Sequence, residues 1–469
     1  MTQDNTEDHP RVLVAQLGAR RHYAVARALH GAGSLERLVT DACAEIPPWK
    51  WLNRFIPASW RPGPLGRLLG RRVADVPAEK IRGFALFTLS SPWRYGRALP
   101  PTDFWARRNA AFGRLVVKKG LGAADTVYGY NGAALEIFER ARREGRRTIL
   151  DQTAAPWRWN KRLLEEERDR WPGWEEHPAE MDASGALSAR EEMEWTLADR
   201  IICGSAFAAS ALSEMGGPGE RCAVVPYPEP VSENNTHFPS VPRERRAGDP
   251  LHVLFVGTLQ LRKGIPYLLE AKRLLRREPI IFRLVGPSVL SEAIMGQLRR
   301  EMELVGTVPR AEVAKHYAWA DIFVLPTLSE GSANVCYEAM AARLPVITTP
   351  NAGAGIVHEE NGLLVPIRDA ESIAMAISRI AHSRISNSTI SRGRDVVCPK
   401  PGFSGSGDWR FSQYSARLRQ AMVQRRKIYP RRTRRNTKKK KKNKNKNKKE
   451  CPRNSRKTRK NIQFFPCFP

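Results

Sequence analysis

A stretch in the second half of the chain, residues 320–366, constrains the fold more than any other part of the sequence. Its apolar run Ile322 to Leu325 stops at Pro326 and predicts a short buried strand. Residues 335–343 are rich in Ala, Met and Glu and predict a helix, and residues 344–348 predict a second strand. A strand, a loop, a helix and a strand make a βαβ unit, so we predict an α/β fold with a parallel sheet.

Two carboxylates flank the loop of this unit, and their spacing limits what they can do together. If Glu330 and Glu338 lay on one continuous helix, eight steps would separate them by ~80° and ~12 Å, which suits one ligand poorly. If Glu330 lies in the loop and Glu338 on the helix, both can face a ligand at the carboxyl end of the first strand. The small residues at 331–333 would let that ligand approach the backbone N–H groups at the helix start. The spacing alone leaves a plainer interpretation open, in which Glu330 caps the helix and Glu338 lies on a solvated face.

Three motifs follow one another in this stretch: E-G-x5-Y-E-A-M-A from Glu330, P-V-I-T-T from Pro345 and N-G-L-L-V-P from Asn361. In this order they resemble the signature of the family 4 glycosyltransferases, of the "glycosyl transferases group 1" type. The resemblance covers residues 251–382 closely and the N-terminal half loosely. It implies the GT-B architecture, with two Rossmann-like domains facing across a cleft. It also implies sugar transfer from a nucleotide-diphosphate sugar, with retention of anomeric configuration and without a metal or other cofactor.

The resemblance further implies that Glu330 contacts the donor sugar and that Glu338 contacts the ribose of the nucleotide. A basic turn in the same half of the chain lies between a predicted strand at residues 253–257 and a predicted helix at 265–277. Its Arg262 and Lys263 lie where the two phosphates of a donor would need cations.

One position of this turn departs from the family pattern. Lys263 followed by Gly264 matches the family, but Thr258 stands where the resembling family places an Arg. Arg262 is therefore expected to take over that role. Without the resemblance, a surface Arg-Lys pair is more typical of solvent-facing residues.

The N-terminal half begins with a similar strand-to-helix loop. Residues 11–17 (RVLVAQL) predict a buried strand and residues 19–32 predict a helix. The loop between them carries basic residues that can face an anionic ligand or simply lie in solvent, and it lacks a G-x-G-x-x-G fingerprint. The resemblance places this loop in the cleft, so we predict that Gly18, Arg20 and His22 meet the acceptor or a donor phosphate.

Two further strands are predicted at residues 126–130 (TVYGY) and 148–150, with a helix at 136–144 between them. Asp151 ends the second strand, and the resemblance implies that a His or Asp near this place reaches the reacting sugar. Residues 157–193 are charged and rich in Trp, and they predict long helices on the acceptor side. The predicted catalytic residues are Glu330, Lys263, Arg262 and Asp151, and the predicted donor-binding residues are Gly257, Glu338, Gly331, Ser332, Ala333 and Asn334.

A chain of 469 residues has room for two or three domains with cores of their own. We predict an acceptor domain at residues 1–231, a polar, turn-rich linker at 232–250 and a donor domain at 251–395. Residues 396–424 are predicted to hold a return segment whose helix crosses back onto the first domain. Residues 425–469 carry 21 Lys and Arg against one acid, which accounts for +20 of the net charge of +30. Such a low-complexity basic run cannot bury a core, so it is expected to be disordered.

The cysteine content and the distribution of apolar residues indicate the cellular compartment in which the protein works. The seven cysteines are scattered and form no C-x-x-C pair, which favours reduced thiols over a disulfide framework or a zinc site. The N-terminus is polar and acidic without the apolar core of a signal peptide, and no apolar run approaches about 18 residues. We therefore predict a cytoplasmic protein. Residues 46–73 mix Trp, Phe and Leu with basic residues, which fits peripheral contact with an anionic membrane or, alternatively, loops and short helices covering the core.

The predicted function is transfer of a sugar from a nucleotide-diphosphate sugar to a glycan or a lipid-linked glycan. Two other classes stay open. A nucleotide-sugar epimerase would share the GT-B fold, but it should show acid and base residues lining the cleft rather than the E-x7-E pattern with Arg-Lys. A nucleic-acid-binding protein would owe its activity to the basic tail, which lacks interleaved aromatic residues for base stacking. Deleting residues 425–469 separates that class from the enzyme, because sugar transfer should survive while salt-sensitive polyanion binding should vanish.

Overall fold

The computed structural model describes residues 10–57, 60, 63–73, 75–95, 101–176, 184–226, 245, 248–382 and 407–423. The predicted basic tail, most of the predicted linker and residues 383–406 lie outside these ranges. Within the described residues the chain forms a first lobe, residues 10–226 with 407–423, and a second lobe, residues 248–382. Each lobe is built on one sheet whose strand pairs are all parallel. The predicted α/β class with two Rossmann-like domains is confirmed.

The first lobe alternates strands and helices along most of its length. Its strands are β1 (Val12–Gln16), β2 (Leu35–Thr40), β3 (Ile81–Gly83), β4 (Thr126–Tyr130), β5 (Arg147–Gln152), β6 (Arg200–Cys203) and β7 (Cys222–Val224). In the described residues they form a seven-stranded sheet with the order β3-β2-β1-β4-β5-β6-β7. Its helices are α1 (Ala24–Gly31), α2 (Trp49–Phe55), α3 (Gly63–Leu69), α4 (Ala85–Tyr95), α5 (Pro101–Lys119), α6 (Leu135–Arg143), α7 (Trp157–Arg170), α8 (Ala186–Leu197) and α9 (Ala206–Glu214).

The second lobe repeats this alternation. Its strands are β8 (Leu251–Val256), β9 (Ile280–Val285), β10 (Glu303–Gly306), β11 (Ile322–Leu325), β12 (Val346–Thr348) and β13 (Leu363–Leu364). As far as the chain is described, they pair in the order β10-β9-β8-β11-β12-β13. Its helices are α10 (Ile265–Leu274), α11 (Glu292–Glu301), α12 (Arg310–Trp319), α13 (Asn334–Ala341) and α14 (Ala370–His382), and the last helix, α15 (Gly407–Val423), returns to the first lobe.

The central strands are apolar because helices cover both faces of each sheet. Every residue of β1, β8 and β11 is buried. Burying each Val, Leu, Ile or Phe side chain stabilises the fold by about 1.5–3 kcal/mol. These apolar runs therefore favour strands that are covered on both faces, as in a parallel sheet. The strand β11 begins and ends at the residues predicted from the sequence. The helix predicted at 19–32 is shorter in the structure, where α1 begins at Ala24. A 3-10 turn at Arg20–Tyr23 precedes it, and His22 and Tyr23 in that turn have φ of 47° and 59°.

The carboxyl ends of the parallel strands lie on one edge of each sheet, and these two edges meet. Thr153, just after β5, packs against Gly331 in the loop after β11: a Cβ on Gly331 would lie 1.7 Å from the Thr153 carbonyl oxygen. Ser205, just after β6, packs against Gly353, where an added Cβ would lie 2.6 Å from the Ser205 Cβ. Only residues without a side chain allow the loops of the two lobes to approach so closely.

Residues 157–176, which we call the strap, belong to the first lobe in the chain but pack against the second lobe. The strap comprises α7 and the turn that follows it. Its Trp159, Leu163, Leu164 and Trp174 are buried in the same apolar cluster as β8 and β11 of the second lobe. The apolar side chains of the strap therefore complete the core of the second lobe.

Helix α15 packs on the first lobe, on the face of the sheet that α1 also covers. Its Tyr414, Leu418, Ala421 and Met422 are buried in the cluster that contains β1, β2 and α1. The chain therefore returns to the first lobe after the second is complete, in the place where the sequence predicted a return helix.

Candidate active site

The acidic loop and the basic turn of the second lobe are in direct contact. Arg262 Nη1 lies 3.0 Å from Glu330 Oε1, and the Lys263 ammonium is ion-paired with the same oxygen. Thr327 Oγ1 lies 3.3 Å from that oxygen. The two predicted halves of the donor site, almost 70 residues apart in the chain, therefore open onto one place.

Local backbone contacts explain why these two turns meet. Arg262 and Lys263 lie on a 3-10 turn that ends at Gly264, which has φ of 72°. A Cβ on Gly264 would lie 2.0 Å from the Pro326 carbonyl oxygen, so the turn must carry a glycine to approach the loop after β11. The Leu328 N–H and the Thr327 hydroxyl both donate to the Arg262 carbonyl, at 2.8 and 3.1 Å. These bonds fix the basic turn against the acidic loop.

The charge state of Glu330 follows from this arrangement. Burial raises the pKa of its carboxyl, but Arg262 and Lys263 outweigh burial and hold the pKa below its ordinary value. Glu330 is therefore ionised at neutral pH. Two cations facing one carboxylate leave an excess of positive charge, which suits an anionic ligand.

Glu330 and Glu338 meet the condition set by their spacing, because Glu330 lies in the loop and Glu338 on α13. Glu338 is only 2% exposed, and its Oε2 accepts a hydrogen bond of 3.1 Å from the Tyr317 hydroxyl. Between them Cys336 is a buried free thiol, and burial raises its pKa to about 12, so it stays neutral. A contact between Glu338 and a ribose stays a prediction.

The loop at 331–334 is less open than predicted. The Ala333 N–H donates to the Ala352 carbonyl at 2.9 Å, so this donor is already used inside the protein. Gly331 is buried against Thr153, and the Ser332 hydroxyl donates to the Tyr337 hydroxyl at 3.3 Å. Asn334 is exposed and begins α13. The glycine at 331 thus serves the contact between lobes, whereas the sequence assigned it to ligand approach.

Gly257 lies next to the basic turn. Its N–H donates to the Val285 carbonyl at 2.9 Å, and a Cβ there would lie 3.8 Å from Lys263 Cε. The structure therefore brings Gly257 together with Lys263, as the donor-site prediction requires.

The first-lobe loop also reaches the junction between lobes. Arg20 Nη1 donates to Thr153 Oγ1 at 3.3 Å, and its guanidinium lies 5.7 Å from the centre of the Tyr130 ring. The Gln16 amide holds the loop by donating to the carbonyls of Gly18 and Arg20, at 3.0 and 2.8 Å. Arg20 and Gly331 therefore contact the same residue, Thr153. The third predicted member of the loop, His22, is exposed.

Asp151 lies near the end of β5 and is buried in the first-lobe sheet. Its residue is 0% exposed, and its carboxylate accepts a hydrogen bond of 2.7 Å from the Tyr128 hydroxyl on the neighbouring strand. It lies inside β5 rather than after it, because the strand continues to Gln152. A contact between Asp151 and the reacting sugar stays a prediction, and Thr153, two positions later, is the residue that contacts Arg20 and Gly331.

Two buried acids that were not predicted from the sequence support this edge. Glu191 on α8 accepts from the Asn131 and Gln152 amides at 2.9 and 2.7 Å and from the Trp157 N–H at 2.9 Å. Asn131 in turn accepts from Thr153 Oγ1 at 2.8 Å. Glu194, one turn along α8, accepts three backbone N–H groups at the start of α6, and burial raises its pKa to about 8. Only the spacing of the two acids on one helix distinguishes them in the sequence.

The strap contacts both arms of the donor site. The Ser329 hydroxyl, beside Glu330, donates to Asn160 Oδ1 at 2.6 Å. The Leu261 N–H, beside Arg262, donates to Glu175 Oε1 at 3.0 Å. Further along α7 the buried Glu167 accepts from Tyr267 Oη and Arg368 Nε of the second lobe, at 2.8 and 2.6 Å. A first-lobe segment thus holds the turn and the loop that form the site.

In the part of the chain that the structure describes, no group of three or more His, Cys, Asp or Glu side chains is arranged to hold a metal ion. Among the described helices, none combines the length and the apolar character that a membrane crossing requires.

Comparison with known proteins finds relatives among glycosyltransferases. Residues 250–383 match the family described as "Glycosyl transferases group 1". The putative teichuronic acid biosynthesis glycosyltransferase TuaC of Bacillus subtilis is 35% identical over 146 residues, which are 30% of this chain and 36% of TuaC. The putative colanic acid biosynthesis glycosyltransferase WcaL of Salmonella typhimurium is 32% identical over 210 residues, 40% of this chain and 50% of WcaL. The chain thus spans between about a third and a half of the length of these relatives.

Solved structures show the same fold over nearly the whole chain. Anabaena HepE, crystallised with UDP and glucose, superposes with a TM-score of 0.52 at 13% identity and covers 89% of this chain and 100% of its own. The apo structure of OtsA gives a TM-score of 0.53 at 14% identity, over 90% of this chain and 100% of its own. The fold is GT-B, and the similarity to the group 1 glycosyltransferases covers residues 250–383.

Proposed function

We propose that the protein transfers a sugar from a nucleotide-diphosphate sugar to an acceptor in polysaccharide biosynthesis. One observation carries the proposal: Arg262 and Lys263 converge on Glu330 at the junction of the two lobes, inside the domain that matches the family. The relatives named for teichuronic and colanic acid biosynthesis support the coarser part, a transferase of polysaccharide assembly. The complex of HepE with UDP and glucose supports a nucleotide-sugar donor.

The donor site works by electrostatic competition. Glu330 forms ion pairs with both cations. A diphosphate carries more negative charge than one carboxylate, so it takes over Arg262 and Lys263 and leaves Glu330 free to accept hydrogen bonds from the sugar hydroxyls. As the bond to the sugar breaks, negative charge grows on the departing diphosphate, and the two cations stabilise it.

The finer parts of the proposal rest on the resemblance in sequence. Glu338 would bind the ribose, transfer would retain the anomeric configuration, and neither a metal nor another cofactor would be needed. The donated sugar would be a hexose, and the acceptor a glycan or a lipid-linked glycan, approaching from the first lobe past Arg20 and Thr153.

An exposed apolar surface on the first lobe supports peripheral contact with an anionic membrane at the cytoplasmic side. Trp51, Phe55 and Trp60 are 59, 75 and 78% exposed, and Lys50 and Arg54 lie on the same short helix as Trp51 and Phe55. Apolar side chains beside cations suit the boundary between lipid headgroups and acyl chains. Replacing Trp51 and Phe55 by Ser should reduce co-sedimentation with anionic vesicles, whereas Met375→Ser, an exposed apolar residue of the second lobe, should not. Equal co-sedimentation of all three proteins would exclude this surface.

The central test is a screen of UDP-, GDP- and ADP-sugars for nucleotide release, followed by transfer. The parent protein should release nucleotide from one donor, and Glu330→Gln and Lys263→Ala should each lower the rate by about a hundredfold or more, since each removes a charge-assisted contact. Arg273→Ala, an exposed cation of the same lobe paired with Glu301, is the matched control and should keep the parent rate. If Glu330→Gln and Lys263→Ala both release nucleotide as fast as the parent, the site is wrongly assigned.

A further inference from the structure

The first lobe holds a second cluster in which one carboxylate faces two cations. Asp41 follows β2 directly, and its Oδ2 lies 3.0 Å from both Arg71 Nη1 and Arg108 Nη2. The Asp41 side chain is 1% exposed, and the Arg71 and Arg108 side chains are 30 and 13% exposed. The acid is thus hidden beneath two guanidinium groups that still reach the surface.

This cluster carries an excess positive charge. Burial raises the pKa of Asp41, but Arg71 and Arg108 outweigh burial and hold the pKa below its ordinary value, so the carboxylate is ionised. Its other oxygen is used by the Gly18 N–H, at 2.9 Å. Among the described residues, neither guanidinium has a second carboxylate partner, and a guanidinium carries five N–H donors, more than its bond to Asp41 uses.

The cluster lies on the edge of the sheet that faces the second lobe. Asp41 follows β2 and Thr153 follows β5, and the strand order places three strand spacings between them, about 14 Å. The predicted acceptor loop lies on β1 between the two, and Gly18 bonds directly to Asp41. An acceptor that reacts near Thr153 would reach the cluster with a group that lies about 14 Å from the reacting position.

One side of the cluster is apolar. The Arg108 guanidinium lies over the rings of Phe87 and Trp105, at 5.3 and 5.6 Å from their centres. Phe87 belongs to α4, whose opposite side exposes Leu86 and Leu89. The Thr88 hydroxyl on the same helix donates to the Asp41 carbonyl at 2.8 Å. One helix therefore connects the cationic cluster with exposed apolar residues.

We propose that Arg71 and Arg108 bind a phosphate group of the acceptor, so that the acceptor is a phosphorylated sugar or a sugar linked to a lipid through phosphate. This inference rests on the proposed function, because it assigns the acceptor of that reaction. Paired guanidinium groups match the geometry of phosphate oxygens, and the apolar side of the cluster suits the chain to which a lipid-linked phosphate is attached.

Phosphate binding tests the subsite without any donor or transfer. Inorganic phosphate is titrated into the Lys263→Ala protein, in which the donor site is weakened, and binding heat is measured. Adding Arg71→Gln should weaken binding at least tenfold, whereas Arg72→Gln, the neighbouring cation paired with Glu45, should leave it unchanged. Asp41→Asn should tighten binding, because it removes the competing acid. If Asp41→Asn does not fold, Arg71→Lys, which keeps the charge, should restore part of the affinity lost in Arg71→Gln.

Transfer assays then identify the source of the phosphate. Three acceptors carry the same sugar: a neutral alkyl glycoside, a soluble sugar phosphate and a sugar linked through diphosphate to a lipid in vesicles. One of the two phosphorylated acceptors should have at least tenfold higher kcat/KM than the glycoside. Arg71→Gln should abolish that preference, whereas the control Arg72→Gln should keep it. Equal use of all three acceptors, or phosphate affinity unaffected by Arg71→Gln, overturns the proposal. A failure of the donor screen alone would instead count against the proposed function.

Discussion

Each lobe pairs one carboxylate with two cations, but the cations come from different kinds of segment. In the second lobe, two consecutive residues, Arg262 and Lys263, face Glu330 from a single turn. In the first lobe, Arg71 and Arg108 face Asp41 from a loop after α3 and from α5, which lie 37 positions apart in the chain. Both carboxylates have a lowered pKa despite their burial. A local turn leaves a readable motif, whereas a cluster assembled from distant elements leaves none.

The first prediction concerns the stability of the two clusters. Asp41→Asn should lower the free energy of unfolding by about 3 kcal/mol, because it leaves two half-buried guanidinium groups without their shared acid. Glu330→Gln should cost less, since Glu330 is more exposed and Arg262 also donates to the Ser329 carbonyl. Urea unfolding of both variants measures the difference. Equal losses of unfolding free energy in the two variants would contradict this order and show that both clusters stabilise the fold to the same extent.

The second prediction concerns the contact between lobes. Gly331→Ala places a Cβ 1.7 Å from the Thr153 carbonyl oxygen, so the loop that carries Glu330 must move by about an ångström. A displacement of that size should lower transfer by about a hundredfold. Gly296→Ala on α11, where a Cβ meets nothing within 4 Å, is the matched control and should retain activity. An active Gly331→Ala variant would contradict the arrangement of the two edges.

The third prediction concerns the strap. Asn160→Ala and Ser329→Ala remove the two ends of one hydrogen bond between the strap and the acidic loop. In a double-mutant cycle measured by urea unfolding, their effects should be coupled by about 1 kcal/mol. The pair Asn160→Ala and Ser332→Ala should be additive, because Ser332 donates to Tyr337 instead.

The smallest expected effect is a pH dependence that the two clusters share. A carboxyl whose folded pKa is lowered stabilises the fold above its unfolded pKa and loses that contribution as the pH falls through the folded value. For Glu330 and Asp41 this loss should occur below about pH 4, near and under the ordinary values of Glu and Asp. Between pH 6 and pH 3 the free energy of unfolding should therefore fall less steeply with decreasing pH in Glu330→Gln and Asp41→Asn than in the parent. Parallel curves would mean that neither acid gains from its cations.

The fold was predictable because its signals are local. The run Ile322 to Leu325, the loop with Glu330 and the helix with Glu338 lie within one βαβ unit, so periodicity and motif spacing identify them together. The end of the strand that carries Asp151 was less predictable, because it depends on pairing with its neighbour, and β5 continues one residue past Asp151 to pair Gln152 with Cys203. Thr153, Asn160 and Glu191 act through partners between 22 and 169 residues away, and nothing near them in the chain announces those contacts.

The strap also bears on how this protein can be taken apart. Trp159 and Trp174 occupy the interior of the second lobe although they come from a segment about 80 to 90 residues upstream of it. A fragment cut to residues 250–383, the natural choice for expressing the family domain alone, would lack these side chains and present an open apolar seam to water. Such a fragment should be poorly soluble, and exchanging this lobe with that of a relative would require the strap to travel with it.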